Sequence, residues 1–234
     1  MPTPVATRPS EEAERLATLR HYDFLAAPPD EVFHDLVGLA AQVFDLPCSF
    51  IALVEEDEVV FPVQHGLPQV LLPQPRAQAL CSSAILHPNA VAYENLATMA
   101  QTGPDAVAIR SAVALGNGFY AAAPLRMPDG RTIGVLCLMG PQPRPFVRAE
   151  EKALEAIAEV ASLTIAVQYL CRATPELGAD QWQAVCRHLR HDVHALRTHL
   201  RELLTKHRSR VPVPAAVLHT VQRRLQALHI VLAE

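Results

Sequence analysis

The sequence predicts an α+β fold: an antiparallel sheet with flanking helices, then a C-terminal antiparallel helical hairpin forming a dimeric four-helix bundle. Three observations predict it. Two pairs of apolar runs, 48–54 (partly β-branched) with 59–63 and 119–125 with 132–138, are each joined by a short polar turn. Apolar stripes at three- and four-residue steps precede and follow these pairs. The last quarter carries two strict heptad seams.

The chain has 234 residues, half of them apolar, which is enough for a sizeable core and argues against wholesale disorder. No uncharged apolar run reaches the roughly 18 residues of a membrane span, and the N-terminus lacks the basic-then-apolar pattern of a signal peptide. The expected location is therefore cytoplasmic, with no membrane partner. The five cysteines, Cys48, Cys81, Cys137, Cys171 and Cys186, are widely spaced without a CxxC pair, so neither a metal site nor a disulfide scaffold is expected. Charge is unevenly placed. Residues 1–179 hold 11 Lys and Arg against 20 Asp and Glu, a balance of −9; residues 180–234 hold 9 against 4, a balance of +5, with seven of the eleven histidines. Two parts with different partners are implied.

In order, residues 1–11 read as a flexible tail. Ser10 is placed to cap a first helix with acidic residues in its opening turn. Asp30 follows Pro28-Pro29 and is placed to cap a second, whose stripe is Val32, Phe33, Leu36, Leu39, Ala40 and Val43. Residues 48–54 and 59–63 form the first hairpin, around the acidic turn 55–58. Residues 64–79 read as irregular, 80–86 as a short helical segment, 91–93 as a short strand and 95–112 as a loop with a helical piece. The second hairpin turns at Pro128-Asp129-Gly130-Arg131, residues suited to a turn. A long helix then spans 148–171 on Leu154, Ile157, Ala161, Thr164, Val167 and Cys171. This order puts the helices on one side of the sheet.

Residues about 12–171 resemble a GAF domain, the small-molecule sensory module of bacterial signalling proteins. The matching residues are Arg15-Leu16 with Leu19, Pro28-Pro29 ahead of Phe33 and Leu36, Leu39-Ala40, and Leu80-Cys81 with Ala84-Ile85. Phe119-Tyr120 with Ala123-Pro124-Leu125, and Asp129-Gly130 with Ile133-Gly134-Val135-Leu136-Cys137, complete the set. Ala122 stands where the family usually has Gly. The resemblance implies a sheet of about six antiparallel strands between helices. It also implies a ligand drawn from cyclic nucleotides, haem, bilins or small metabolites; no cofactor is required and no residue selects one. Cys81, Tyr93, Phe119, Tyr120, Arg126 and Cys137 are the candidate pocket residues. Cys81 and Cys137 are candidates for a redox-sensing or chromophore-tethering thiol pair, set against the default of small residues packed in a core. Cys81 is followed by Ser82 rather than the His that accompanies bilin attachment, and the spacings of 33 and 56 residues from Cys48 to Cys81 to Cys137 suggest no cluster.

Thr174-Pro175-Glu176-Leu177-Gly178 interrupts the helical pattern within a linker, 172–179. The first seam is Trp182, Cys186, Leu189, Val193, Leu196, Leu200 and Leu203; the second is Leu218, Val221, Leu225, Leu228 and Leu232, after the turn Val211-Pro212-Val213-Pro214. A lone hairpin has no third partner for these stripes, so a homodimer through residues 180–234 is expected. On the first helix, His194-Ala195-Leu196-Arg197-Thr198-His199-Leu200 resembles the histidine-kinase phosphoacceptor box His-Glu-Leu-Arg-Thr-Pro-Leu at five of seven positions, and Arg224-Leu225-Gln226-Ala227-Leu228 matches the partner helix. The resemblance implies a degenerate dimerisation-and-phosphoacceptor hairpin with His194 as phosphoacceptor and Arg197 and Thr198 beside it, and a response regulator or kinase as partner. Ala195 replaces the acid that activates the imidazole. A second frame, His191 with Asp192, keeps a His-acid pair. No Gly-rich nucleotide loop occurs, so this chain alone is not expected to hydrolyse ATP. The expected function is a signal-transduction sensor. The alternatives are a phosphorelay acceptor, or truncated kinase, phosphorylated in trans, and a nucleic-acid-binding regulator using Arg187, Arg190, Arg197, Arg201, Arg208, Arg210, Arg223 and Arg224, although no reading helix or interleaved aromatics support the last.

Overall fold

The computed structural model describes residues 9–67, 69–99, 103–174, 178–205 and 211–233. Most of the expected N-terminal tail, the centre of the Thr174–Gly178 break, and Arg208 and Arg210 lie outside the described residues.

The helices are α1 (Pro9–Tyr22), α2 (Glu31–Val43), α3 (Cys81–Ala84), α4 (Ala106–Ala114), α5 (Arg148–Ala173), α6 (Gly178–Thr205) and α7 (Ala215–Ala233). The strands are β1 (Cys48–Val54), β2 (Glu58–His65), β3 (Gln74–Pro75), β4 (Val91–Tyr93), β5 (Phe119–Arg126) and β6 (Thr132–Gly140). They form one six-stranded antiparallel sheet in the order β3-β2-β1-β6-β5-β4. Both expected hairpins are present. They are joined through β1 and β6, whose register runs from Cys48 opposite Met139 to Leu53 opposite Gly134. The two-residue β3, within a segment that reads as irregular, pairs with β2 at Val59 and Glu58. Two residues carry no periodicity, so sequence pattern gives no sign of it.

Strand alternation sorts side chains to two faces. Phe119, Ala121, Ala123 and Leu125 of β5 point to one core, with α1, α2 and α5. Tyr120 and Ala122 point to the other, with α3 and α4. The sheet therefore has helices on both faces, where helix order alone puts them on one side. The small helices α3, which reads as a short helical segment, and α4, which reads as the helical piece of a loop, supply the second layer.

The C-terminal hairpin is docked on the rest of the chain. Helices α2 and α5 rest on the sheet; α6 lies against α2 and α5, and α7 lies along α5. Leu189, Val193, Leu196 and Leu200 of the first seam, and all five residues of the second, are buried in one core with α2 and α5. The expectation that the seams lack a third partner is thus corrected: α2 and α5 of the same chain provide it. A fully buried Leu or Val is worth about 1.5–3 kcal/mol relative to an exposed one, and a covalently linked partner is met at high effective concentration. The first seam ends on Leu204 rather than Leu203, which is half-buried. A straight helix on a globular core drifts from a strict seven-residue repeat.

Helix α5 is long and apolar enough to cross a membrane by composition, but 56% of that apolar window is buried in the protein. It is covered by the sheet on one side and by α6 and α7 on another. Its burial, including Ala153, Ala158, Ser162 and Ala166, is broader than the single stripe read from sequence.

Three ties fix the hairpin. Asp30 heads α2 but makes no side-chain cap bond; its Oδ2 instead accepts from Gln168 Nε2 at 2.7 Å and Trp182 Nε1 at 2.9 Å, joining α2, α5 and α6. Glu150, fully buried, pairs with Arg144 and accepts the Val213 backbone N–H at 3.1 Å, which pins the α6–α7 turn to the start of α5. Gly178 opens α6 so close to α5 that an added Cβ would stand 1.7 Å from the Cys171 carbonyl oxygen.

Candidate functional site

Two regions collect chemically capable side chains. The first lies under α3 and α4. Cys81 opens α3, Tyr120 is the second residue of β5, and Cys137 sits in the middle of β6. All three are buried. The Cys81 and Cys137 sulfurs are 3.7 Å apart, and the Tyr120 hydroxyl lies 3.4 Å from the first and 3.3 Å from the second. The sequence spacing of Cys48, Cys81 and Cys137 suggests no cluster; the antiparallel pairing of Ala122 with Cys137 and the return of α3 over the sheet bring the last two of these cysteines together. Cys48 stays apart, its thiol bonded to the Gly66 carbonyl at 3.2 Å. Hydrogen bonding from Cys137, and then from Tyr120, lowers the Cys81 thiol against the effect of burial. Burial holds Cys137 and Tyr120 well above their ordinary values.

Tyr93 on β4 stacks edge-on against Tyr120 at 5.9 Å and donates to Asp105 Oδ2 at 2.8 Å. Ser83 donates to the other Asp105 oxygen. Burial, then the Asp105 bond, raises the Tyr93 phenol. Asp105 and Ser83 carry no sequence motif, and only the fold reveals them. Of the six candidate pocket residues, Cys81, Tyr93, Tyr120 and Cys137 converge. Phe119 does not: as the strand neighbour of Tyr120 it faces the opposite core, against Phe146 at 5.6 Å. Arg126 is exposed at the end of β5 and donates to the Pro88 carbonyl at 2.7 Å. The cleft that reaches this cluster is small, about 40 Å³, and is lined by Phe50, Phe61, Cys81, Tyr120 and Met139 among others. Small-molecule sites usually measure about 300–1,000 Å³, so the sheet's own side chains fill this face. Among the described residues no group of three His, Cys, Asp or Glu is arranged to hold a metal.

The second region is the outer side of α6. His194 is exposed, and its Nδ1 lies 2.9 Å from the Arg190 carbonyl. A carbonyl only accepts, so this bond requires a proton on Nδ1, and in the neutral ring the lone pair then stands on Nε2. His191 and Thr198 are also exposed; Asp192 lies 3.6 Å from His188. Where Ala195 offers no acid, Asp35 of α2 approaches. Its Oδ2 accepts from Arg190 Nε at 2.8 Å and lies 3.8 Å from His194 Nδ1, while Oδ1 lies 3.9 Å from Arg197. Arg197 also donates to Gln42 Oε1 at 3.1 Å and packs its guanidinium on Gly38. Arg190 and Arg197 are thus turned towards α2. Arg187, Arg201, Arg223 and Arg224 remain exposed. A groove of about 790 Å³ between α2 and α6 is lined by His65, Arg197 and Arg201.

A family model described as a GAF domain matches residues 26–166, more than half of the chain. The chain belongs to the GAF domain family. A curated relative, a cyclic di-GMP phosphodiesterase of Pseudomonas aeruginosa, is 27% identical over 153 residues, 65% of this chain. The chain spans about a quarter of that relative's length. Among solved structures, the GAF domain of an Acinetobacter phosphoenolpyruvate-protein phosphotransferase is 17% identical over 69% of this chain and 98% of its own, with a TM-score of 0.49. The blue-light-absorbing form of the Thermosynechococcus elongatus PixJ GAF domain is 12% identical over 72% of this chain and 95% of its own, with a TM-score of 0.48. The triad of Cys81, Tyr120 and Cys137 therefore lies within the matched GAF domain, and the α6–α7 hairpin follows it.

Proposed function

We propose that this GAF protein is a signal-transduction sensor in which the state of the α3–α4 face is relayed through α5 to the docked α6–α7 hairpin. The observation that supports this is the shared helix: α5 meets β5 with one side and α7 with another, so a shift in the sheet is felt by the hairpin. Trp182, the only tryptophan, sits at the joint with its indole bonded to Asp30. The relay is tested by overpacking the far face. Ala122→Leu is expected to alter Trp182 emission and speed hydrogen exchange across residues 189–204 while circular dichroism keeps the native helix content. Unchanged Trp182 emission and exchange, with β4–β5 amides perturbed, would sink the relay. Catalysis of the kind named for the Pseudomonas relative is not proposed for this chain, which matches only a quarter of that protein.

A second reading, a phosphorelay acceptor modified in trans by a kinase, is favoured by His194. Its side chain is exposed, with the lone pair of the neutral ring on Nε2, and Asp35 stands near the imidazole where the box has lost its acid. Phosphohistidine detection after incubation with a cognate kinase or acetyl phosphate tests it. Label is expected on wild type and His191→Ala and not on His194→Ala; label that survives His194→Ala refutes this assignment. A response regulator would meet the exposed basic side of the hairpin. A homodimer through residues 180–234 belongs, in this proposal, to an undocked state that frees the seams; a strictly monomeric chain by sedimentation at micromolar concentration, before and after phosphorylation, contradicts it. Duplex binding that weakens steeply with salt would favour nucleic acid instead.

A further inference from the structure

We propose that Cys81 and Cys137 form a peroxide-reactive thiol pair that closes into a reversible disulfide beneath α3. The two sulfurs stand 3.7 Å apart, and a disulfide needs about 2.05 Å, so a side-chain rotation and a small shift of α3 complete the approach. That helix has only four residues and lies outside the strand ladder, whereas Cys137 is fixed in a central strand paired on both sides. The movable partner therefore meets the fixed one.

Access and reactivity distinguish the two sulfurs. Cys81 lines the cleft of about 40 Å³ and Cys137 does not. A cavity needs about 10–15 Å³ of such space to hold a water molecule, so a molecule as small as hydrogen peroxide fits the cleft. The Tyr120 hydroxyl is within reach of both sulfurs and can donate to a Cys81 thiolate. The lowered Cys81 thiol and raised Cys137 thiol agree with Cys81 reacting first.

The chemistry balances. The Cys81 thiolate attacks one peroxide oxygen and the O–O bond breaks. The departing oxygen takes up the thiol's proton and leaves as water, and Cys81 becomes a sulfenic acid. The Cys137 sulfur then attacks the Cys81 sulfur, the S–O bond breaks, and the hydroxyl leaves with the Cys137 proton as a second water. Two thiols have lost two electrons and two protons, and one hydrogen peroxide has become two waters. A dithiol reductant reverses the bond by exchange. The closed bridge ties α3 to β6 and removes both thiol partners of Tyr120. This chemistry is independent of the hairpin's role.

The test treats the full reduced chain with hydrogen peroxide under native conditions, blocks the remaining thiols with N-ethylmaleimide and maps the peptides. The free-thiol count is expected to fall from five to three, with one linkage between the peptides holding Cys81 and Cys137, reversed by dithiothreitol. In Cys137→Ser the reaction should stop at a Cys81 sulfenic acid trapped by dimedone, and in Cys81→Ser residue 137 should stay unmodified. If either variant fails to fold, the wild-type map alone decides. First oxidation at Cys48, Cys171 or Cys186, a sulfenic acid on Cys137, or five free thiols after treatment would each overturn the proposal.

Discussion

Glu150→Ala removes the carboxylate that ties the hairpin turn to the GAF core. That carboxylate is fully buried and takes three donors: the Arg144 guanidinium, the Val147 N–H at 3.0 Å and the Val213 N–H at 3.1 Å. Truncation strands Arg144, itself 6% exposed between the rings of Phe119 and Phe146. An orphaned buried charge costs about 3–5 kcal/mol, and a buried N–H without an acceptor about 1–3 kcal/mol. The Val147 N–H opens a helix and can turn to water. A loss of about 4–8 kcal/mol is expected, a large part of the stability typical of a domain. Urea unfolding followed by Trp182 fluorescence and far-ultraviolet circular dichroism measures it. Replacing both partners by apolar residues, Arg144→Met with Glu150→Met, should recover most of the loss, because no charge is then left buried. A single variant that loses less than about 1 kcal/mol, or a double variant as damaged as the single, would refute the reasoning.

Asp30→Ala removes the acceptor of Gln168 and Trp182; Trp182 emission should shift to longer wavelength with a loss of about 1–3 kcal/mol, and unchanged emission would show that this joint does not hold α6. Leu196→Ala should cost about 2–5 kcal/mol in the unfolding of the whole chain, whereas the exposed His194→Ala should stay within about 0.5 kcal/mol; equal small effects would mean that the seam is not part of the core. Bonding to Arg15, with Arg76 adding to it against burial, lowers the Glu12 carboxyl from 4.5 to about 2. Its folded value lies below its unfolded one, so its contribution is complete above about pH 4.5 and is lost as pH falls towards 2. Glu12→Gln should therefore flatten the acid limb of stability in that window, by about 1 kcal/mol after solvent screening, and a parallel acid limb in the variant would contradict the assignment.

Much of this fold is legible in the sequence because its longest signals are periodic. The α2 stripe from Val32 to Val43, the paired strands with their Asp129-Gly130 turn, and the two seams each impose one geometry on their segment. The site is less legible, for physical reasons. Cys81 and Cys137 lie 56 residues apart in sequence, and their meeting depends on register and on a short helix that pattern reading leaves vague. Phe119 and Tyr120 read together as pocket residues, yet strand alternation sends them to opposite cores. Asp30 has the composition and place of a helix cap, but a tertiary acceptor role wins once Trp182 and Gln168 arrive. The heptads reveal that α6 and α7 bury a stripe each and are silent on what covers it. That covering surface is α2 and α5, whose outward residues gain meaning only after the sheet is built.

Docking of the hairpin on its own chain is tested most directly by native-state hydrogen exchange of the amides within residues 193–204 and 217–228. Their protection should approach the global unfolding free energy, match that of β5 and β6, and remain the same across a wide range of protein concentration. Protection far below that of β5, or protection that rises with concentration, would contradict intramolecular docking and point to a hairpin that finds its partner in a second chain.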